Sequence, residues 1–386
     1  MKPAFAQENV FIYHGDAIEV LGRLPSQSVH CCVTSPPYWG LRNYGVEGQI
    51  GLESSLDEFV AKMVEVFRGV WRVLRDDGTL WLNLGDSYAD GTRDFNSFRR
   101  DRSCVCVPNM PVPPSFKPKN LIGIPWRVAF ALQADGWYLR QDVIWHKPNS
   151  MPESAKDRCT KAHEYLFLLT KQARYFYDAV AIAETASGTG GGACFGPQTK
   201  QGQTRHDESH AHIGGGILVQ SRKYDRPKYN TRNRRSVWTV ATRSYPGAHF
   251  ATFPPKLIEP CVKAGTSAEG CCPECGAPWQ RITKENRQAT RPPENNCNDP
   301  TGMANRDPQR HVTTTETVDW QRTCKCGVER GEPEYLPVPC TVLDPFMGSG
   351  TTAQVARASG CRCIGIELNS EYIELAAERL KQRRLF

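Results

Sequence analysis

No stretch of this 386-residue chain approaches the roughly 20 consecutive apolar residues that a membrane helix requires. The opening MKPAFAQENV lacks the apolar core of a secretory signal, so a cytoplasmic protein with no membrane partner is expected. Repeats of the solenoid kind are absent. From about 183 to 235 hydrophobic periodicity itself is missing, because GTGGGACFG and IGGG alternate with polar and basic residues that cannot build a core. That segment reads as flexible or as ordered by a partner. The missing secretory signal also governs the sixteen cysteines: with Cys31, Cys32, Cys361 and Cys363 inside apolar strands and others at metal-ligand spacing, they read as reduced thiols plus one metal site.

What is present is α/β grammar. VFIYHGD, AIEVLGRLP and SVHCCVTSPPYWG read as strand, helix, strand. Phe59, Met63, Val66, Val70 and Leu74 then recur at helical spacing until DDG, which is expected to stop the helix before TLWLNLGD resumes as a strand. LIGIPWRVAFALQADG reads as a helix, with WYLRQDVIWHKP and HEYLFLLTK as strands after it. The last fifty residues form strand TVLDPF, turn MGSG, helix TTAQVARASG, strand CRCIGIEL and helix SEYIELAAERLKQRR. A mostly parallel, doubly wound sheet follows from this alternation. The length suits one such domain carrying insertions, and a net charge of +7 fits a polyanionic partner.

Two turns carry chemistry. Asp344-Pro345-Phe346-Met347-Gly348-Ser349-Gly350-Thr351-Thr352 joins a strand to a helix, where glycines let the backbone approach a ligand. Glu367 ends the next strand, the place for an acidic side chain that accepts hydrogen bonds from both hydroxyls of a ribose. The missing third glycine and the absence of a Gly-Lys-Ser/Thr ending argue against a dinucleotide pyrophosphate site and against a phosphate loop. In Thr34-Ser35-Pro36-Pro37-Tyr38-Trp39 two prolines force a rigid extended turn after a buried strand, making a slot for a flat polar ring. Ser35 and a backbone carbonyl there can accept the two hydrogens of an exocyclic amine, and Tyr38 can stack on the ring.

TSPPYW and DPFMGSGTT, in that order, resemble the catalytic motif and the cofactor loop of the S-adenosylmethionine-dependent amino-methyltransferases of DNA. The order is similar to the circularly permuted beta subgroup, and the likeness covers most of residues 9–182 and 236–386. It implies a Rossmann-like methyltransferase fold, with S-adenosylmethionine as cofactor and double-stranded DNA as substrate. It implies catalytic roles for Ser35, Pro36, Pro37 and Tyr38, and cofactor roles for Asp344, Phe346, Gly348, Ser349, Gly350, Thr351 and Glu367. Asp16, in HGDAIEVL, resembles the acidic position near the methionine end, and Phe253 and Pro254, in FPPKLIEPCVKAG, resemble the helix entry beside it. Asn83 to Ser87 resemble the strand end lining the target pocket. The amine lone pair is delocalised into the ring, so hydrogen bonds to its protons must reshape it before it attacks the sulfonium methyl in line. The base must be flipped out of the duplex. A serine in the first motif position resembles the N4-cytosine signature, with N6-adenine as the alternative; methylation of RNA or of a protein amide, or a non-catalytic zinc-dependent DNA-binding protein, are more remote. A cognate restriction endonuclease and a homodimer are partners that the likeness leaves open.

Cys272-Pro273-Glu274-Cys275 and Cys324-Lys325-Cys326 supply four thiolates for a structural zinc, with Cys271 able to replace a neighbour. Arg222, Lys223, Arg226, Lys228, Arg232, Arg234 and Arg235, interleaved with Tyr224 and Tyr229, are suited to phosphate contact. The expected organisation is a catalytic half at 1–182, a basic, Gly-rich target-recognition segment at 183–235, a return to the catalytic domain at 236–267, a zinc-binding insertion at 268–336 and a cofactor-binding half at 337–386.

Overall fold

The structure, a computed structural model, describes residues 1–41, 44–89, 116–186, 228–229, 231–242, 252–289, 311–326 and 336–381. In chain order these form β1 (Phe5–Gln7), β2 (Val10–His14), α1 (Ala17–Arg23), β3 (Val29–Thr34), α2 (Leu56–Val73), β4 (Leu74–Leu84), α3 (Ile124–Ala134), β5 (Tyr138–His146) and β6 (His163–Thr170). Next come β7 (Glu184–Thr185), β8 (Lys228–Tyr229), β9 (Thr231–Arg232), β10 (Val237–Thr239), α4 (Pro255–Gly265), β11 (Gln280–Ala289) and β12 (His311–Gln321). The chain closes with β13 (Thr341–Asp344), α5 (Thr351–Ala358), β14 (Arg362–Glu367) and α6 (Ser370–Lys381).

The residues divide into two compact units. The larger comprises Met1–Ile182, Asn233–Ile282 and Val318–Phe386; the smaller comprises Ala183–Arg232 and Thr283–Thr317. The segment 268–336 is therefore split, its cysteine-bearing ends lying in the larger unit and its middle in the smaller. Within the smaller unit β7 pairs antiparallel with β9, and Lys228 and Tyr229 pair parallel with Val312 and Thr313.

The larger unit is built on a nine-stranded sheet of order β1-β2-β14-β13-β3-β4-β6-β5-β10. All six residues of β3 are buried, so this strand has a core on both faces. Cys32 joins one core with Leu80 and Leu82 of β4 and with Leu21, Phe59, Phe67, Val128 and Leu132 of α1, α2 and α3. Cys31 and Val33 join the other with Leu257 and Ile258 of α4, Ala353 and Ala356 of α5, and Ile373 of α6. Alternation along one strand thus divides the helices between two faces, as in a doubly wound fold. Five strand pairings are parallel, β2–β14, β14–β13, β13–β3, β3–β4 and β5–β10. β6 departs from them, lying between β4 and β5 and antiparallel to both.

Helix α2 starts where Ser55 accepts a hydrogen bond from the Glu58 N–H at 3.2 Å, and it buries Phe59, Met63, Val66, Phe67, Val70 and Val73 at three- and four-residue spacing. The expected stop at DDG is not where the strand begins: β4 starts at Leu74 and runs through Arg75, Asp76, Asp77 and Gly78. A bulge against β3, between the pairs Val29↔Leu74 and Cys31↔Thr79, absorbs the extra residues. Gly78 is needed there, since a Cβ would stand 2.8 Å from Leu74 Cδ1 and 2.9 Å from the His30 carbonyl.

β3 and β13 are neighbours from which the chain winds away in opposite directions, β13 to β14 on one side and β3 to β4 on the other. Ligands of open α/β sheets bind outside the carboxyl ends of strands at such a switch point. Asp344 seals this seam. It is 1 % exposed and accepts hydrogen bonds from Thr34 Oγ1 at 2.7 Å, Thr352 Oγ1 at 2.6 Å and the Phe346 N–H at 3.0 Å.

Two outcomes follow from this packing. At the end of α4, a Cβ on Gly265 would fall on Thr79 Oγ1 and Cys31 Sγ, so Gly265→Ala should cost about 1–3 kcal/mol of stability in urea unfolding; an unchanged midpoint would show that α4 does not lie this close to β3 and β4. Burial pushes the Asp344 carboxyl up to about 6. As pH rises from about 4 to 6, an unfolded chain releases this proton while the folded chain keeps it, so stability is lost over that window and the loss levels off near about 3 kcal/mol. Unfolding titrations should show the wild type losing stability relative to Asp344→Asn across that window; a difference independent of pH would contradict the assignment.

Candidate active site and cysteine centre

The turns that follow β3 and β13 open onto one cavity of about 570 Å³, a size suited to a small-molecule site. Ser35, Pro36, Pro37 and Tyr38 all line it, as do Asp16, Phe253, Phe346, Gly348, Ser349, Thr351 and Glu367. Three residues expected at the cofactor do not form its wall. Asp344 lies beneath the turn and organises it. Gly350 is the N-cap of α5 in the left-handed region at φ 79°, with a would-be Cβ 3.0 Å from Ala376. Pro254 is the N-cap of α4, one residue behind the lining Phe253. Of the strand end 83–87, Asn83 reaches the cavity.

The cofactor-side turn is held from several directions. Glu367 Oε2 accepts from the Gly348 N–H at 2.7 Å and Oε1 from the Asn369 N–H at 2.9 Å. Burial raises this carboxyl above its ordinary range. An ionised carboxylate has about four acceptor positions, so two remain. Arg379, buried on α6, donates to Ser349 Oγ at 2.9 Å and Thr351 Oγ1 at 2.8 Å. Asp16 caps α1, accepting from the Ile18 and Glu19 N–H groups at 2.8 and 3.1 Å.

The Ser-Pro-Pro-Tyr turn is anchored through its last residue. Tyr38 donates from its hydroxyl to Glu164 Oε2 at 2.9 Å, and Ser35 Oγ donates to the Tyr38 hydroxyl at 3.4 Å. Asn83 joins through Nδ2, which donates to Glu164 Oε2 at 3.3 Å and to the Tyr165 carbonyl at 3.0 Å. Burial pushes the Tyr38 phenol well up, and the adjacent Glu164 charge adds to this. Gly85 packs against the ring, since a Cβ there would stand 2.6 Å from Tyr38 Cε2. Glu164, its ion-pair partner Lys147 and neighbouring Trp145 also line the cavity, and sequence reasoning missed all three. Their only signal was position, at the facing ends of strands WYLRQDVIWHKP and HEYLFLLTK.

The thiols of Cys272, Cys275, Cys324 and Cys326 all lie within 4.8 Å of one another. The first pair forms a tight knuckle: the Gly276 N–H donates to the Cys272 carbonyl at 2.9 Å, and Gly276 turns the chain at φ 70°. Arg75 of β4 donates to the Cys275 carbonyl at 2.5 Å. Cys271 does not substitute for any of these four. It groups with His30 and Cys340, and its thiol donates to the Val338 carbonyl at 3.4 Å. His30 accepts the Thr341 N–H at Nδ1, 3.0 Å, and so donates from Nε2 to the Gly276 carbonyl at 2.8 Å.

Of the basic segment, Arg222, Lys223 and Arg226 lie outside the described residues, and Lys228 is described for its backbone alone. Arg232 pairs with Glu184 at 2.7 Å, the Arg234 guanidinium lies 4.6 Å from the Trp238 ring centroid, and the Arg235 carbonyl accepts from Trp238 Nε1 at 2.7 Å. Arg232 and Arg234 are therefore already engaged within the chain. Among the described residues no helix is long and apolar enough to cross a membrane.

Comparison with known proteins agrees with this geometry. The family model N6_N4_Mtase, described as DNA methylase, matches residues 29–272 and 339–378. The chain is 40% identical over 371 residues to Type II methyltransferase M.XycI of Xanthomonas campestris pv. cyanopsidis, covering 96% of this chain and 87% of that one. It is 39% identical over 371 residues, with the same coverages, to Type II methyltransferase M.Cfr9I of Citrobacter freundii. In fold it is similar to the solved structure of PvuII DNA methyltransferase (cytosine-N4-specific), with a TM-score of 0.54 and 16% identity, covering 100% of this chain and 91% of that one. The match of the family model over both motif turns, together with relatives aligned over nearly the whole chain, makes this protein a member of the DNA methylase family of S-adenosylmethionine-dependent amino-methyltransferases.

Proposed function

We propose that this DNA methyltransferase modifies N4 of a cytosine flipped out of double-stranded DNA, and that Ser35, Pro36, Pro37 and Tyr38 form the base slot. The supporting observation is the direction of one hydrogen-bond chain. Ser35 spends its hydroxyl hydrogen on Tyr38, and Tyr38 spends its own on Glu164. The lone pairs of Ser35 Oγ are left to accept an N–H of the target amine, with a backbone carbonyl of the adjacent prolines taking the second. Two such bonds draw the amine toward a tetrahedral shape and aim its lone pair across the cavity. Serine rather than an acidic or amide side chain in the first position of the motif favours cytosine over adenine.

S-adenosylmethionine, when bound, supplies the methyl group on a sulfonium. The donor set fits it: Glu367 would accept from the ribose hydroxyls at its remaining acceptor positions, Phe346 and Phe253 would give apolar wall, and Asp16 would face the charged methionine end. The relatives are named Type II methyltransferases, and on that likeness the chain acts at a specific DNA word as the modifying half of a restriction-modification pair. The basic run from Arg222 to Arg235 is the part of the chain suited to phosphate contact. Cys272, Cys275, Cys324 and Cys326 fit a structural zinc, because four thiolates gathered this closely need a cation to offset their mutual repulsion.

Nucleoside mass spectrometry with single-molecule sequencing of DNA from cells expressing the chain should find N4-methylcytosine at one short word. N6-methyladenine would overturn the base assignment. Ser35→Ala should lower the rate about a hundredfold or more with cofactor affinity retained; equal loss of both would remove Ser35 from catalysis. The purified protein should hold one zinc per chain, and chelation should lower its melting temperature and expose 268–336 to proteolysis. Full stability without metal would exclude the zinc.

A further inference from the structure

Lys147 is the one lysine or arginine among the described residues lining the cavity, and the proposed base slot leaves it unexplained. It directly follows β5, whose Trp145 faces Glu164 of β6 in the antiparallel register. Its ammonium pairs with Glu164 and lies 4.3 Å from the Trp145 ring centroid, so two contacts fix its position. Both members of the pair are largely buried, at 19% and 17% side-chain exposure. An ammonium has three donors and Glu164 Oε1 takes one; among the described residues the others have no hydrogen-bond partner. Lys147 therefore holds two N–H donors at the cavity wall, available to a ligand there.

We infer that Lys147 reads the target base by donating a hydrogen bond to the O2 carbonyl of cytosine. This rests on the N4-cytosine reading above and adds a specificity residue to it. Ser35, Tyr38, Glu164 and Lys147 form one continuous chain of polar contacts, with acceptor character at Ser35 and donor character at Lys147. Cytosine presents the complementary order along its edge: amino donor at position 4, then ring-nitrogen and carbonyl acceptors. Adenine, placed with its amine at Ser35, presents a C–H where cytosine has its carbonyl, so the buried ammonium would lose its partner. Glu164 balances the lysine charge, which keeps a bare cation away from an amine that becomes positive as it is methylated. The same carboxylate orders Tyr38, so reader and acceptor share one anchor.

The test uses the full-length enzyme and synthetic duplexes carrying the word found by sequencing, with either cytosine or adenine at the target and an abasic position opposite in both, so that flipping costs are matched. The wild type should methylate cytosine in strong preference. Lys147→Met should lower kcat/KM on cytosine by about ten- to a hundredfold and narrow the cytosine-to-adenine ratio by a similar factor, with unchanged S-adenosylmethionine affinity. Lys147→Arg should keep most of the ratio. Lys147→Met combined with Glu164→Gln removes both charges, so a stranded carboxylate cannot be the cause, and the ratio should narrow here too. Loss on both bases alike, or an unchanged ratio in either Met variant, overturns the role of Lys147. A wild type that prefers adenine instead overturns the N4-cytosine reading, and that result is read before any variant is made.

Discussion

Burial of one carboxylate at the seam between β3 and β13 is the constraint on which the site depends. Asp344 has three donors around it, from the end of β3, from its own turn and from the first turn of α5. A buried acid without such partners would be strongly destabilising, so these three donors have to converge there. Their convergence ties the strand that ends in Ser-Pro-Pro-Tyr to the strand that ends in the glycine turn. Two chain segments more than three hundred residues apart are thereby brought to the rim of one cavity.

Around that seam the walls are held by hydrogen bonds from neighbouring side chains. Arg379 fixes Ser349 and Thr351 from outside, and Glu164 fixes Tyr38 and, through it, Ser35. A methyl transfer that needs in-line geometry gains most from acceptors that are already placed, because no ordering remains to be done when the base arrives. Because the Ser35 hydrogen goes to the Tyr38 hydroxyl, the lone pairs of Ser35 Oγ stay available as acceptors.

Much of this was legible in the sequence, for reasons of locality. The parallel strands, their helices and the two turns are each specified by neighbouring residues, and the likeness of both motifs to one family fixed their partnership. What was not legible depends on pairings between distant segments. β6 enters between β4 and β5 against the prevailing direction, and only that register sets Glu164 beside Trp145 and Lys147. Nor does a motif say which of its residues face the cavity: Asp344, Gly350 and Pro254 shape the wall from behind it. The start of β4 was missed because a bulge lets a polar Asp-Asp-Gly run continue a strand. Cys271, offered as a substitute ligand, groups instead with His30 and Cys340, since adjacency to Cys272 carries no information about which way its thiol points.

The cysteine centre and the cavity lie at opposite ends of the same strands. Its knuckle is tied to the sheet through His30, at the amino end of β3, and through Arg75, at the start of β4. Ser35 follows the carboxyl end of β3, five residues beyond His30, which at about 3.3 Å per residue is about 16 Å along the strand. Among the described residues no cysteine lines the cavity. A metal held by those thiols is therefore too remote to polarise the target amine or the cofactor. Any influence of such a metal on the site would have to pass through the rigidity of β3 and β4, the strands that lead to Ser35 and Asn83 at the cavity.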